Sequence, residues 1–189
     1  MNDEVYIKEI SHRDCKPELL MYFNRYQSSS RNWHKHSGQW VLCDELFIED
    51  WDDIKKAQVI SDLASCINNG GCVLGVYNQN RLIGFASVHA DFFGSKQQYV
   101  ELSYMHISNG FRGKGMGKTL FSKICGWAHR KKAKKLYISA NPAEDSIAFY
   151  RKIGCVDACE INQKIQERCP DDCQLEYDLI CSMQPVSDH

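Results

Sequence analysis

The sequence predicts one mixed α/β domain, and three observations carry that expectation. Strand-like and helix-like segments follow one another as strand, two helices, three strands, helix, strand, helix and two strands. No internal repeat and no Pro/Gly/Ser-rich linker divides the 189 residues. The chain is 43% hydrophobic and 25% charged, too apolar for a disordered segment. A chain of this length buries roughly 70% of its unfolded surface and needs no covalent staple.

Val5 to Ile10 reads as the first strand. Asp14 to Tyr26 reads as a helix, with Asp14 as N-cap and Pro17 in the first turn. Residues 27–50 read as irregular, rich in Ser, His, Trp and acid. Ile54, Ala57, Ile60, Leu63 and Ala64 have helical spacing within Trp51 to Asn68, and Gly70-Gly71 stops that helix. Cys72 to Tyr77 and Arg81 to His89 read as a hairpin joined by Asn78-Gln79-Asn80. A loop over Asp91 to Lys96 leads to a strand from Gln98 to Ile107. Gly113 to Gly117 precedes a helix reaching Lys131, whose apolar side carries Met116, Leu120, Phe121, Ile124, Trp127 and Ala128. Leu136 to Ala140 reads as a strand and Ala143 to Ile153 as a helix stopped by Gly154. Cys155 to Ile161 and Cys173 to Cys181 read as the last two strands. The strands on either side of the 116–131 helix should be parallel, with a right-handed crossover.

Lys plus Arg is 23 and Asp plus Glu is 24. A net charge of −1 argues against a protein whose main task is gripping a nucleic-acid backbone. No run of 18 apolar residues is present to span a membrane. The opening MNDEVYIKEISH has no apolar core of a signal peptide. The expectation is a cytoplasmic protein without nucleic-acid or membrane partners. Ten cysteines are then expected as thiols. Cys155, Cys159, Cys169 and Cys173 invite a zinc reading. However, Cys155 and Cys159 fall in a strand-like stretch, where residues four apart are about 13 Å from each other, so no metal is expected.

The sharpest feature is Phe111-Arg-Gly-Lys-Gly-Met-Gly-Lys-Thr119, between an apolar strand and an amphipathic helix. Gly113, Gly115 and Gly117 clear side chains where backbone amides converge. The helix start adds unpaired N–H groups and a positive dipole end, so the junction is an anion site suited to phosphate. A nucleotide-hydrolase P-loop fails, because position 112 would have to be Gly and is Arg. A dinucleotide-binding loop fails at position 118, which is Lys rather than Gly.

Arg112-Gly-Lys-Gly115-Met-Gly117 does fit one pattern. It resembles the Arg/Gln-x-x-Gly-x-Gly/Ala signature of the GNAT superfamily, the acetyl-CoA-dependent N-acetyltransferases. The preceding Glu101-Leu-Ser-Tyr-Met-His-Ile107 resembles that fold's fourth strand. Ser146-Ile-Ala-Phe-Tyr-Arg-Lys-Ile-Gly154-Cys155 resembles the family's second signature. Motif resemblance covers residues 98–157, and element order agrees over the whole chain.

The resemblance implies a twisted, mostly antiparallel sheet of about seven strands, splayed at strands four and five and flanked by about four helices. It implies one domain over 1–189, with 1–97 as the acceptor side and 98–189 as the cofactor side. Acetyl-CoA would be the co-substrate, its pyrophosphate cradled by the backbone of Arg112, Gly113, Lys114, Gly115, Met116, Gly117 and Lys118. Lys114 and Lys118 could add charge. Met105, His106 and Ile107 would offer backbone to the pantetheine arm. Glu101 is the expected base, with His106 as its rival, and Tyr150 the expected acid. Where the family often carries Asn and Ala, this chain has Ala143 and Ser146. Asn141 and Ser146 are retained as cofactor contacts.

An acidic group, Asp44, Glu45, Glu49, Asp50, Asp52 and Asp53, lies near Trp33, Trp40 and Trp51 in sequence and suits a cationic amine. The implied reaction is direct acetyl transfer to a primary amine of a small molecule or peptide in a ternary complex. The alternative is a non-catalytic acyl-CoA binder, which would release no thiol on adding an amine. Arg130, Lys131, Lys132, Lys134 and Lys135 could meet the coenzyme's ribose phosphate. The oligomeric state, a homodimer included, is left open.

Overall fold

The structure, a computed structural model, describes residues 5–180. Its elements are β1 (Val5–Glu9), β2 (Gln27–His36), β3 (Gln39–Glu49), α1 (Asp53–Asn68), β4 (Cys72–Asn78), β5 (Arg81–Val88), β6 (Tyr99–Ile107), α2 (Met116–Arg130), β7 (Lys135–Ala140), α3 (Glu144–Lys152), β8 (Val156–Asp157), α4 (Gln163–Arg168) and β9 (Cys173–Asp178). Seven strands form one sheet in the order β1-β4-β5-β6-β7-β9-β8, and β2 and β3 form a separate two-stranded sheet. Among the described residues only β6 and β7 pair in parallel, with α2 as the crossover between them. The other pairings are antiparallel. None of the described helices is long and apolar enough to cross a membrane.

The large sheet buries both faces. On one, Leu120, Phe121, Ile124 and Ala128 of α2 and Ile147 of α3 meet Val100, Leu102, Leu136, Ile138 and Leu175. On the other, Val59, Ile60 and Leu63 of α1 meet Val73, Tyr77, Leu82 and Phe85, with Leu20, Phe23 and Trp51 filling in. The β4–β5 hairpin turns at Gln79 and Asn80, with φ of +49° and +61°, the left-handed pair of a two-residue hairpin turn. Asp52 caps α1, accepting the Lys55 N–H at 2.7 Å.

Four expectations need correction. Residues 14–26 are not one helix but two short 3-10 turns, His12–Asp14 and Pro17–Leu20. Asp14 closes the first turn from within, accepting the Ser11 N–H at 2.9 Å. Lys16, forced out of the helical region by Pro17, is extended at φ −130°. Residues 27–50, expected to be irregular, form the β2–β3 hairpin. It turns on Ser37 and Gly38, at φ +48° and +85°. The strand expected over 155–161 shrinks to Val156–Asp157. The Cys159 N–H leaves the ladder for the Glu176 carboxylate at 3.1 Å, and Asn162 then caps the unforeseen α4 by accepting from Ile165 N–H at 3.2 Å. The last strand ends at Asp178, and Cys181 lies outside the described residues.

Of the four cysteines of the zinc reading, Cys155 and Cys173 are core residues, Cys159 is exposed and Cys169 half-buried. The basic run falls at the C-terminal end of α2. Fifteen helical residues, about 22 Å, separate it from the glycine loop, and Lys135 pairs with Glu176 at 2.5 Å.

Candidate active site

The site is built around a break in the sheet. The β6–β7 ladder runs only from Tyr99–Leu102 against Lys135–Ile138. Beyond it β7 continues against β9 and β6 against β5, so the two strands part and residues 103–107 of β6 face a gap. A bulge sharpens the effect. Ser87 and Val88 of β5 oppose Tyr104 and Leu102 of β6, leaving Ser103 as an extra residue that re-aims the strand. Val100, Leu102, Met105 and Ile107 therefore all lie on the α2 side. Tyr104 and His106 turn to the α1 side.

The glycine loop closes the end of the gap. Gly113 and Gly115 stand at φ +76° and +81°, and a Cβ built on either meets nothing within 4 Å. These glycines thus serve a left-handed backbone with open space above it. Gly117 differs: a Cβ there would lie 3.3 Å from the Phe149 ring, so this glycine lets α2 pack closely on α3. Beyond Phe111, Thr119 is the first residue whose main-chain N–H makes a well-formed backbone hydrogen bond, to the Gly115 carbonyl at 3.1 Å. The intervening amides, with the α2 dipole behind them, suit the phosphates of a coenzyme. Lys118 is exposed, and the Lys114 ammonium lies over the Phe111 ring at 5.4 Å. The Arg112 side chain does not enter the cradle. Its Nε donates to the Ile107 carbonyl at 2.9 Å and its NH2 group to the Arg25 carbonyl at 3.2 Å, fixing the loop to the strand end. Met116 packs beneath, against the main core.

Tyr150, on α3, packs against the same core with Phe121 and Phe149 at 6.5 and 5.3 Å between ring centres. Burial first, and the neighbouring Cys155 and Asp172 second, push its phenol well above the ordinary tyrosine value, so it keeps its proton. Asn141 follows β7 and donates to the Glu49 carboxylate at 3.5 Å. Ser146 is drawn away from the loop: its hydroxyl accepts from Gln27 Nε2 at 3.1 Å, tying α3 to the start of β2.

Both expected bases have partners within the protein. The Glu101 carboxylate, 9% exposed, is held in an ion pair by Arg168 of α4. That contact docks α4 on the sheet. The His106 ring sits edge-on to Trp51, 4.9 Å between centres. Burial chiefly, with Arg25, Arg112 and Lys55 adding to it, drives its pKa well below the usual imidazole value. A ring that resists protonation is a poor proton acceptor at neutral pH.

A different carboxylate occupies the mouth. Asp172 precedes β9 and accepts from the Ser139 hydroxyl at 2.8 Å. Desolvation raises its pKa above the usual carboxylate value, and Glu49 and Asp171 raise it further. Glu49 in turn is paired with the buried Arg25 and accepts from Trp51 Nε1 at 3.0 Å. Sequence reasoning missed Arg25 and Asp172. Asp172 offers no periodic signal, because it stands in a turn where aspartates are common for local reasons.

The acidic group expected beside three tryptophans does not assemble. Asp52 caps α1, Asp50 accepts from the Trp51 N–H, and Trp51 is a core residue. Trp33 and Trp40 line a separate groove against α3. Of the six acids, Glu45 and Glu49 reach the cavity at the mouth.

The sequence matches the Acetyltransferase (GNAT) family over residues 23–155. The chain belongs to this family. It is an acetyltransferase by family, and the parted β6 and β7 are the splayed fourth and fifth strands of the GNAT sheet. The fold agrees with solved structures at low identity. A nourseothricin acetyltransferase superposes with a TM-score of 0.69 at 12% identity, covering 93% of this chain and 98% of that one. A Bacillus anthracis str. Ames protein assigned as a streptothricin acetyltransferase, in complex with acetyl coenzyme A, gives 0.65 at 15% identity, covering 92% and 96%. The PaiA N-acetyltransferase from Thermoplasma acidophilum, in complex with coenzyme A, gives 0.56 at 14% identity, covering 93% and 99%.

Proposed function

We propose that the chain transfers an acetyl group from acetyl-CoA to a primary amine of a small molecule or peptide, by direct attack in a ternary complex. The observation that carries this reading is the gap itself. Residues 103–107 of β6 lack a β7 partner while the open glycine loop closes one end, and an acid-lined cavity lies at the turn that follows β7. A thioester arm can lie against that edge as a guest strand does, and residues 112–118 can hold its phosphates. The N–H groups of Met105 and Ile107, which alternate away from β5, can supply donors for the thioester carbonyl.

An alkylammonium must lose a proton before it can attack. We assign that proton to Asp172, whose raised proton affinity brings it nearer the working pH. The C–N bond forms at the acetyl carbon, and the C–S bond then breaks. Tyr150 protonates the departing sulfur and regains a proton from the new amide nitrogen. One proton leaves to solvent in the balance. Arg25 and Glu49 position the wall between these groups, and Glu101 holds α4 rather than the substrate. The acceptor-side and cofactor-side halves, 1–97 and 98–189, both contribute: Asn32 to Glu49 come from the first and Asn141 to Asp172 from the second.

Thiol release from acetyl-CoA, measured against a panel of alkylamines, amino acids and peptides, tests the reading. Amine-dependent release is expected. Coenzyme binding without release for any amine would leave an acyl-CoA binder on this fold.

A further inference from the structure

The cavity beside the turn after β7 is lined by four carboxylates. It measures about 450 Å³ and lies between the β2–β3 hairpin, the turn after β7 and the turn before β9. Its walls carry the carboxylates of Glu45, Glu49, Asp171 and Asp172, and among the described residues no lysine or arginine lines it. Only Glu49 is neutralised by a buried cation, Arg25. Glu45 meets His34 Nε2 at 2.5 Å with more than half its side chain in solvent.

A second, independent observation concerns two amides. Asn32 is 2% exposed. Its Nδ2 donates to the Glu45 carbonyl at 2.8 Å, but its Oδ1 is buried without a partner. The Oδ1 of Asn141, whose Nδ2 is turned to Glu49, is likewise buried and unpaired. Both residues line this cavity. A buried oxygen without a donor is a destabilising arrangement unless a ligand supplies the hydrogen. The wall thus holds two buried carbonyl oxygens without donors beside the carboxylates, a set of acceptors. An ammonium carries three N–H donors and no acceptor. Between the polar groups, Leu46, Phe47 and Ile48 offer apolar surface for a methylene chain.

We infer that this cavity binds an alkyl polyamine, the class of acceptor with two or more ammonium groups joined by methylene spacers. The ammonium held deeper meets Asn32, Asn141 and Asp172. The outer one meets Glu45 and Asp171. The inference rests on the proposed acetyl transfer and narrows its substrate.

Cadaverine and n-pentylamine share one carbon chain and differ by a single terminal ammonium, so they isolate the second charge. Thiol release from acetyl-CoA is measured with each, alongside calorimetric titration of each amine into the protein. Cadaverine should be preferred in kcat/KM by about tenfold or more at low salt, and the preference should shrink as ionic strength rises. Glu45→Gln, at a solvent-exposed side chain, should bring the ratio down toward unity and leave n-pentylamine turnover in place. Equal turnover of the two amines, or a preference that the variant does not alter, would overturn the inference while acetyl transfer stands. Heat from cadaverine and none from n-pentylamine, with no thiol release from either, would uphold the cavity's selectivity and overturn the proposed reaction. Absence of heat and of any preference would overturn the inference.

Discussion

At the level of single residues, the site depends on two groups held away from their ordinary proton affinities. Asp172 has its carboxyl raised, first by burial and then by Glu49 and Asp171. The charged form is therefore disfavoured in the folded chain. Its favourable contribution is complete below the unfolded value of 3.8 and fades as pH rises through the folded value. Asp172→Asn should then unfold at a higher temperature than the parent at pH 7, and the two should converge near pH 3.5. Turnover should fall by about 100-fold in the same variant, the usual scale for a lost general base. Tyr150→Phe should lower turnover by a similar factor of about 100 and leave acetyl-CoA affinity nearly unchanged, as read by calorimetry. Glu101→Gln should show the opposite split: intact turnover and a loss of about 1 kcal/mol in denaturant unfolding, because its partly exposed pairing with Arg168 docks a helix. The positions of Tyr150 on a helix and Asn141 at a strand end could be read, because a nearby motif fixes where those elements fall. Asp172 could not, since its environment is made by Glu49, 123 positions earlier in the chain, and by burial that no local pattern announces.

Among the elements, the glycine loop and the β2–β3 hairpin mark the two extremes of legibility. Alternating glycines before an amphipathic helix could be read directly, since only a backbone needing left-handed φ and free space keeps them. The structure separates their roles: Gly113 and Gly115 leave room, while Gly117 lets Phe149 approach. Gly115→Val should abolish acetyl-CoA binding by calorimetry, while the strained φ costs about 1–2 kcal/mol of stability, a loss that thermal unfolding reads separately. The hairpin escaped detection because Gln27–His36 is polar on both faces, so no period-2 alternation appears. Ser37-Gly38 was the signal present, a two-residue turn of the kind hairpins favour. The bulge at Ser103 was equally silent. It arises from pairing with β5, not from any residue type in β6.

Over the whole molecule, the hairpin has a definite job. Trp33 donates its N–H to the Pro142 carbonyl at 2.9 Å, and Arg31 pairs with Glu144 at the start of α3. The two-stranded sheet is thereby tied across the mouth of the gap, and its β3 residues become the outer wall of the cavity. The element order sufficed to indicate a mixed α/β domain and its parallel pair, because both follow from hydrophobic patterning and chain connectivity, while the seven-stranded sheet came from the family resemblance. How the smaller sheet leans on it depends on long-range hydrogen bonds such as Trp33 to Pro142, which leave no trace in either segment alone. The central claim is that acetyl-CoA lies along the unpaired edge of β6 with its phosphates on the glycine loop. Amide hydrogen exchange, measured residue by residue with and without acetyl-CoA, tests it most directly. Slowed exchange is expected at Met105 to Ile107 and across residues 112–118, with little change in β1 or β4. Unaltered exchange at both segments under saturating acetyl-CoA, or protection confined to other parts of the chain, would contradict it.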